Sequence, residues 1–275
     1  MDSNKKLAII GAGNIGLAIA KGLVRAKLFT SGKIYLTRRK LERISEYADE
    51  GFILEKNNSK AVKNSDIIII AVEPQQVDPV LDEIKNSLDS QRHSLISVVT
   101  GITIKQIQKR VGDKIDVVRA MPNTAIAINE AMTCLASANG NSTAMKEALE
   151  IFSTVGKALS IDEDQMGAAT ALGACGIAFF LRTIRAASQG GIEIGFHADK
   201  ALQIAAQTAK GAATLLLVNE QHPEYEIDKV TTPRGVTISG LNQMEHEGLS
   251  SAMIKGIVTS ATKAAKLYSA ADKEE

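Results

Sequence analysis

The chain has 275 residues, which at roughly 150 residues per domain is room for about two domains and a well-buried core. Its 32 Lys and Arg against 31 Asp and Glu leave a formal net charge of +1, so no electrostatic excess draws the whole chain to DNA, RNA or anionic lipid. A hydrophobic share of 45%, a charged share of 23% and only 5 prolines exclude a disordered chain or one with a long Pro-rich linker.

Short apolar runs at 7–10, 34–37, 67–72, 95–99, 117–121 and 132–136 alternate with amphipathic stretches of helix length as far as about residue 161. That order predicts a parallel sheet with helices on its faces. The β-branched run 67–72, bounded by Asp66 and by Glu73-Pro74, predicts a central strand covered on both sides. After Asp162 the texture changes: Ala, Leu, Gly and Gln dominate and apolar residues recur every three or four positions. This predicts helices over 163–194, 199–219 and, with internal breaks, 235–271. Their many Ala and Gly suit close helix packing between subunits as well as within one. The charge-free stretch 165–181, bounded by Asp164 and Arg182, is shorter than a bilayer span and reads as a buried helix, so no membrane association is expected. The opening residues carry no export-signal pattern. Cys134 and Cys175 lack CxxC or Cys/His spacing, so neither a disulfide framework nor a metal site is expected, and a reducing cytoplasm is the simplest compartment.

The chemistry-bearing signal is Gly11-Ala12-Gly13-Asn14-Ile15-Gly16, a GxGxxG turn directly after the first strand pattern and directly before the amphipathic stretch 15–25. Gly11 permits the tight turn, Gly13 lets the backbone approach a pyrophosphate, Gly16 lets the helix pack on the strand, and the N–H groups at the helix start face the anion. About twenty residues on, where an NAD site would place an acid against the ribose, the chain reads Thr37-Arg38-Arg39-Lys40. Guanidiniums there suit a 2′-phosphate, which a carboxylate would repel, so the expected cofactor is NADPH (NADP); a basic, solvated start to the next helix is the plain alternative. The fold class expected is thus α/β: an N-terminal Rossmann domain over 1–162, then an all-α domain over 163–275 whose small residues leave dimerisation open. A dehydrogenase or reductase is the implied activity class.

At this point the chain resembles the pyrroline-5-carboxylate reductase family nearly end to end. The resemblance is carried by the glycine turn, Ala71-Val-Glu-Pro-Gln75, Ile96-Ser-Val-Val-Thr-Gly-Ile102, Arg119-Ala-Met-Pro-Asn-Thr124 and, most specifically, Asp228-Lys-Val-Thr-Thr-Pro-Arg-Gly-Val-Thr-Ile238. It implies a helical dimerisation domain, sites at the dimer interface, and NADPH-dependent reduction of the cyclic imine 1-pyrroline-5-carboxylate to L-proline. It also implies that Gly11, Gly13, Asn14, Ile15 and Gly16 meet the pyrophosphate and that Thr37, Arg38 and Arg39 meet the adenosine phosphate. Asn58 falls near the adenine ribose. Ala71, Val72, Glu73, Pro74 and Thr100 fall on the nicotinamide side, with Met121, Pro122 and Asn123 nearby. Thr232, Gly235, Val236 and Thr237 form the substrate-carboxylate loop, and Glu163 is an acid near nicotinamide and substrate. Three positions and one segment depart from the family pattern: Glu73 replaces Lys, Arg234 replaces Gly, Lys229 replaces Asn, and Gly173-Ala-Cys-Gly-Ile-Ala-Phe179 replaces a Ser- and Pro-containing turn.

The loop makes chemical sense by itself, because a small anion needs N–H and hydroxyl donors where a helix begins. Hydride transfer to an imine is easier when the nitrogen is protonated. Thr237 is the candidate to hydrogen-bond that nitrogen as an orienter, since a hydroxyl has too high a pKa to act alone as an acid. Helix capping is the alternative for Thr232 and Thr237, and for Glu163 capping and catalysis both stand. His93, His197, His222 and His246 are scattered, which favours surface or capping roles, and Cys175 reads as a small buried hydrophobe. Two other functions stay open: reduction of another small cyclic imine or keto acid, and NADPH binding with little catalysis.

Overall fold

The computed structural model describes residues 4–271. One compact unit runs up to Cys175 and takes in the chain from Ser260 onward; the other is Gly176–Thr259. The change of composition after Asp162 therefore precedes the division between the units by about a helical turn of 3-10 geometry (Glu163–Gln165) and the short helical stretch that follows it.

The first unit is built on an eight-stranded sheet of order β3-β2-β1-β4-β5-β6-β7-β8. The strands are β1 (Leu7–Ile10), β2 (Ile34–Thr37), β3 (Ile53–Glu55), β4 (Ile67–Ile70), β5 (Ser94–Ser97), β6 (Val117–Met121), β7 (Ala131–Ser137) and β8 (Gly156–Ser160). All four isoleucines of β4 are buried, and successive side chains enter opposite cores. Leu7, Ile9, Ile67 and Ile69 join one apolar cluster, while Ala8, Ile10, Ile68 and Ile70 join the other. A strand with no solvent face has no need of polar alternation, hence its continuous apolar run. Helices α1 (Asn14–Arg25), α2 (Asn58–Lys63), α3 (Val77–Ile84), α4 (Ile104–Val111) and α5 (Thr143–Thr154) flank the sheet, with single-turn helices at Glu46–Asp49 and Met166–Ala169.

Two strands escape the sequence pattern. β3 and β8 are the sheet's edges, and neither contains the fully buried run that marks the central strands. The sheet is also not wholly parallel, because β7 runs antiparallel to β6. Between them the 3-10 turn Thr124–Ile128 ends at Asn129 in the left-handed region, φ 60°, where the chain reverses. The run 67–72 leaves the sheet two residues early: the Ala71 N–H donates to Ile10 O at 2.8 Å, steering the chain toward the glycine turn.

In the second unit lie α6 (Gly176–Glu193), α7 (Ala198–Asn219), α8 (Pro223–Asp228), α9 (Val236–His246) and the start of α10 (Leu249–Ala271). The helices α6 and α7 approach closely where Gly191 meets Ala201; a Cβ on Gly191 would lie 3.1 Å from the Ala201 Cβ. The expectation of a buried helix over 165–181 needs correction, because Phe180 and Leu181 are each 59% exposed in the single chain. On α7, Leu217 and Val218 are similarly exposed. The helical run Glu163–Glu193 and the helix Ala198–Asn219 are long and apolar enough to cross a membrane by length and composition; the shorter charge-free window understated the first.

Candidate active site

The glycine turn shows why each glycine stands where it does. Gly11 has φ 95°, and a Cβ there would lie 2.8 Å from Ala71 O. A Cβ on Gly16 would lie 2.7 Å from Gly11 O, so α1 packs on the turn only without a side chain. Around Gly13, by contrast, an added Cβ would meet no heavy atom within 4 Å. The Gly11 and Ala12 N–H groups donate to Thr37 O at 3.2 and 2.7 Å, and the Gly11 N–H also reaches Thr37 Oγ1 at 3.3 Å. Thr37 is thus buried and holds the turn. The first helical bond of α1 is Leu17 N–H to Gly13 O, 2.9 Å. The N–H groups of Asn14, Ile15 and Gly16 are left unused by the helix, and no acid stands in its first turn. That combination is an anion-binding end.

The turn opens onto a cleft of about 910 Å³ whose lining includes Gly11, Gly13, Thr37, Arg38, Arg39, Asn58, Ala71, Val72 and Glu73. It lies by the carboxyl ends of β1 and β4, where the strand order reverses, the usual ligand crevice of such a sheet. Within it the Arg38 Nη1 donates to Ala12 O at 3.1 Å. Asn58 is held by Glu83: its backbone N–H donates to Oε1 at 3.1 Å and its Nδ2 to Oε2 at 2.8 Å. Lys40 of the same basic segment also lines the cleft, as do Arg43 and Glu83, which were not singled out from the sequence.

The residues assigned to the nicotinamide side sit at neighbouring strand ends. Pro74 opens the 3-10 turn Pro74–Gln76 and Glu73 accepts from Gln76 Nε2 at 3.2 Å. Thr100 Oγ1 approaches Met121 Sδ at 3.9 Å, Pro122 is buried, and Asn123 Nδ2 donates to Gly173 O at 3.3 Å. Gly173 belongs to a π-helical stretch, Thr170–Cys175, within the departing turn. Glu163 does not cap the turn it begins, which the Asp162–Gln165 pair closes, with Asp162 N–H donating to Gln165 Oε1 at 3.3 Å. Its Oε1 instead accepts from the Ile104 N–H at 2.7 Å, at the start of α4, and from Arg119 Nη1 at 3.0 Å. Arg119 is 1% exposed. A charged residue inside the apolar run 117–121 was the sequence signal for this buried pair.

The loop before α9 is tight. The Gly235 N–H donates to Thr232 O at 2.8 Å, and a Cβ on Gly235 would collide with Thr232 Oγ1 at 2.6 Å. Arg234 sits at φ 62°, the left-handed region glycine prefers, which accounts for the glycine of the resembling family at that position. No side chain caps α9 and its first turn has no acid. The capping alternative for Thr232 and Thr237 is therefore not what the loop does, and the N–H groups of Val236 and Thr237 stay unused at the helix start. Val236 is 90% exposed. Lys229 is turned to Glu226, 2.8 Å, and to the Tyr225 ring, 4.3 Å.

His222 caps α8, its Nδ1 accepting from the Glu224 N–H at 3.3 Å; His93 neither caps a helix nor lies on the surface, but is buried before β5, its Nδ1 accepting from the Asp89 N–H at 2.8 Å and its Nε2 3.1 Å from Ser65 O. Burial and the nearby Arg92 charge hold His93 below its usual pKa. Burial also pushes the Cys134 thiol up, away from thiolate chemistry. Among the described residues no group of His, Cys, Asp and Glu is placed to hold a metal.

This fold and glycine turn define a Rossmann-type, dinucleotide-dependent oxidoreductase with a helical C-terminal part. Residues 6–101 match the family model described as NADP oxidoreductase coenzyme F420-dependent, and 163–267 match the model for pyrroline-5-carboxylate reductase dimerisation. Pyrroline-5-carboxylate reductase 2 of Dictyostelium discoideum is 49% identical, covering 99% of this chain and 96% of its own. Pyrroline-5-carboxylate reductase 1 of the same organism is 54% identical over 95% of this chain, which spans only 50% of that relative's length. The crystal structure of Plasmodium falciparum pyrroline carboxylate reductase with NADP bound superposes with a TM-score of 0.87 at 26% identity, covering 97% of this chain and 99% of its own. The chain belongs to the pyrroline-5-carboxylate reductase family.

Proposed function

We propose that the protein reduces 1-pyrroline-5-carboxylate to L-proline with NADPH. The observation that carries the reading is the uncapped, acid-free start of α1 opening, through Gly13, onto a cleft lined by Arg38, Arg39 and Arg43, in a chain of this family. The residues present fit a phosphorylated dinucleotide: room for a pyrophosphate at Gly13, unused N–H groups behind it, and cations beside it. When bound, NADPH supplies a hydride to the imine carbon.

The chain's own residues do the remaining work. The N–H groups of Asn14, Ile15 and Gly16 hold the pyrophosphate, and Asn58 presents its amide to the ribose. Thr100, Met121, Pro122 and Asn123 wall the nicotinamide side with Ala71, Val72, Glu73 and Pro74. The N–H groups of Val236 and Thr237, with the Thr232 hydroxyl across Gly235, hold the substrate carboxylate. The Thr237 hydroxyl accepts a hydrogen bond from the protonated ring nitrogen and so orients the iminium; positioning of two reactants supplies most of the rate. Glu163 acts one step removed, as a positioning residue through Arg119 and α4.

We assign 1–162 to cofactor binding and 163–275 to self-association and substrate binding, which the match of 163–267 to a dimerisation family supports. A second copy covering the exposed apolar side chains of α6 and α7 accounts for their composition without a membrane. With no basic excess, nucleic acid has no part in the reading, and two free cysteines suit a cytoplasmic setting.

The test is loss of nicotinamide absorbance with five- and six-membered cyclic imino acids, for the native protein and Thr237→Ala. Turnover of the five-membered imine, reduced roughly tenfold or more in the variant with NADPH affinity intact, is expected. Tight NADPH binding with no turnover of that imine, or turnover only of another substrate, overturns the substrate reading.

A further inference from the structure

Among the described residues, those other than glycine that hold a positive φ are Lys27, Asn129, Glu220 and Arg234. The first three have a local reason. Lys27 and Glu220 follow the last turns of α1 and α7 and close them, their N–H groups donating to Val24 O and Leu216 O, each at 3.0 Å; a left-handed residue is an ordinary helix end. Asn129 ends a 3-10 turn with a side chain that tolerates the conformation. Arg234 closes no helix. It is the third residue of the turn Thr232–Gly235, held by the Gly235 N–H on Thr232 O at 2.8 Å. The ring of Pro233 fixes its own φ at about −65°, and a left-handed residue after it makes a type II turn, whose third position calls for glycine.

Arginine is thus a strained choice where glycine would serve the turn better, and no contact within the chain offsets the strain. The Arg234 side chain is exposed and makes no hydrogen bond, ion pair or ring contact among the described residues. Lys229, earlier in the same segment, shows the contrast, being committed to Glu226 and to the Tyr225 ring. A strained residue with no structural partner points to function. The turn runs directly into the open start of α9, where no side chain caps the helix and no acid stands in the first turn. A guanidinium beside free N–H groups at a helix start makes an anion's charge, as well as its shape, part of what the loop reads.

We propose that Arg234 is a charge-selecting residue: its guanidinium draws in and holds the carboxylate of the imine, so that the protein discriminates against a cyclic imine of the same ring size without a carboxylate and is inhibited by competing small oxyanions. The inference rests on the substrate reading above. The glycine of the resembling family at this position presents no charge, so the selection is a property that this chain adds. The carboxylate takes no part in the bond changes, and its charge is the same in the bound substrate and in the transition state. Arg234 therefore acts on KM and leaves kcat alone. Because the side chain is exposed, salt screens its contribution.

The experiment measures steady-state kinetics of the whole protein, Arg234→Gly and Arg234→Lys on 1-pyrroline-5-carboxylate and on 1-pyrroline, the same ring without the carboxylate, with sulfate as a competing anion. In Arg234→Gly the KM for the carboxylate imine is expected to rise roughly tenfold, with kcat, and the KM for 1-pyrroline, within about twofold. Sulfate inhibition weakens in parallel, and added salt raises the native KM more than the variant's. In Arg234→Lys the rise is smaller, because the charge persists without the planar fork. Arg234→Gly melts no lower than the native protein, since glycine relieves the turn, which separates lost binding from unfolding. An unchanged or lowered KM for the carboxylate imine in Arg234→Gly, an equal rise for both imines, or a lower melt or lost self-association overturns the assignment. If the native protein reduces neither imine, the substrate reading fails; calorimetry with sulfate then decides Arg234, and equal affinities of the native and glycine proteins overturn it.

Discussion

The position of Glu163 separates positioning from direct participation, and Glu163→Ala measures it. The substitution removes the acceptor for the Ile104 N–H at the start of α4 and an ion-pair partner of Arg119, which is 1% exposed. An orphaned helix N–H costs about 1 kcal/mol. Breaking a fully buried ion pair costs about 3–5 kcal/mol, but the Glu163 side chain is 33% exposed, so water replaces part of what is lost. The two contacts share one oxygen and do not add; the expected destabilisation is about 2–4 kcal/mol. For a unit of this size that is a fall in Tm of roughly 4–16 °C. Glu163→Gln keeps an acceptor oxygen for both donors and loses only the charge, so its melt falls by less than the alanine variant's. A general acid or base contributes about 10²–10⁴ in rate. The reasoning requires Glu163→Gln to retain kcat within about tenfold while melting lower. A loss of about a hundredfold or more in kcat with an unchanged melt, or an Ala variant as stable as the native protein, refutes it.

Gly13→Ala leaves the melt of the cofactor-free protein nearly unchanged, because a methyl there meets no heavy atom within 4 Å. It weakens NADPH and NADH alike by roughly tenfold or more, since the methyl stands where the backbone must approach the pyrophosphate; a melt lowered as much as that of Gly11→Ala speaks against the open turn. His93 supplies a pH dependence. Burial first, and Arg92's charge second, lower its folded pKa below the ordinary 6.5, so the unfolded chain binds the extra proton. Its contribution to stability is full above that value and declines as the pH falls through it toward the folded pKa. Denaturant midpoints across that range should steepen their fall in the native protein relative to His93→Gln, and parallel curves would remove His93 from the account.

Much of the first unit was readable from local pattern. The continuous apolar runs of β1 and β4, the largely apolar β2 and β6, and the glycine spacing after β1 follow from short-range rules: a strand covered on both sides needs no polar alternation, and a tight turn beneath a helix needs glycine. The edge strands β3 and β8 lacked that pattern because one flank has no neighbouring strand, and the antiparallel β7 depends on a reversal at Asn129 that propensity leaves open. The substrate loop was legible as a motif, yet the reason for glycine at the position of Arg234 emerged only from its backbone angle, φ 62°.

By itself, then, the sequence determined the class of fold, the phosphate turn and the cationic segment 37–40, because each is encoded within a few consecutive residues. Tertiary structure decided how the individual charges are spent. Arg119 and Glu163 lie 44 positions apart and meet at 3.0 Å; Asn58 and Glu83 lie 25 apart and share two hydrogen bonds; Arg38 turns back to Ala12 while Arg43 stays in the cleft. Whether a charged side chain is committed to the fold or left for a ligand depends on which distant partner the packed sheet brings within hydrogen-bond reach, and no local pattern carries that distance.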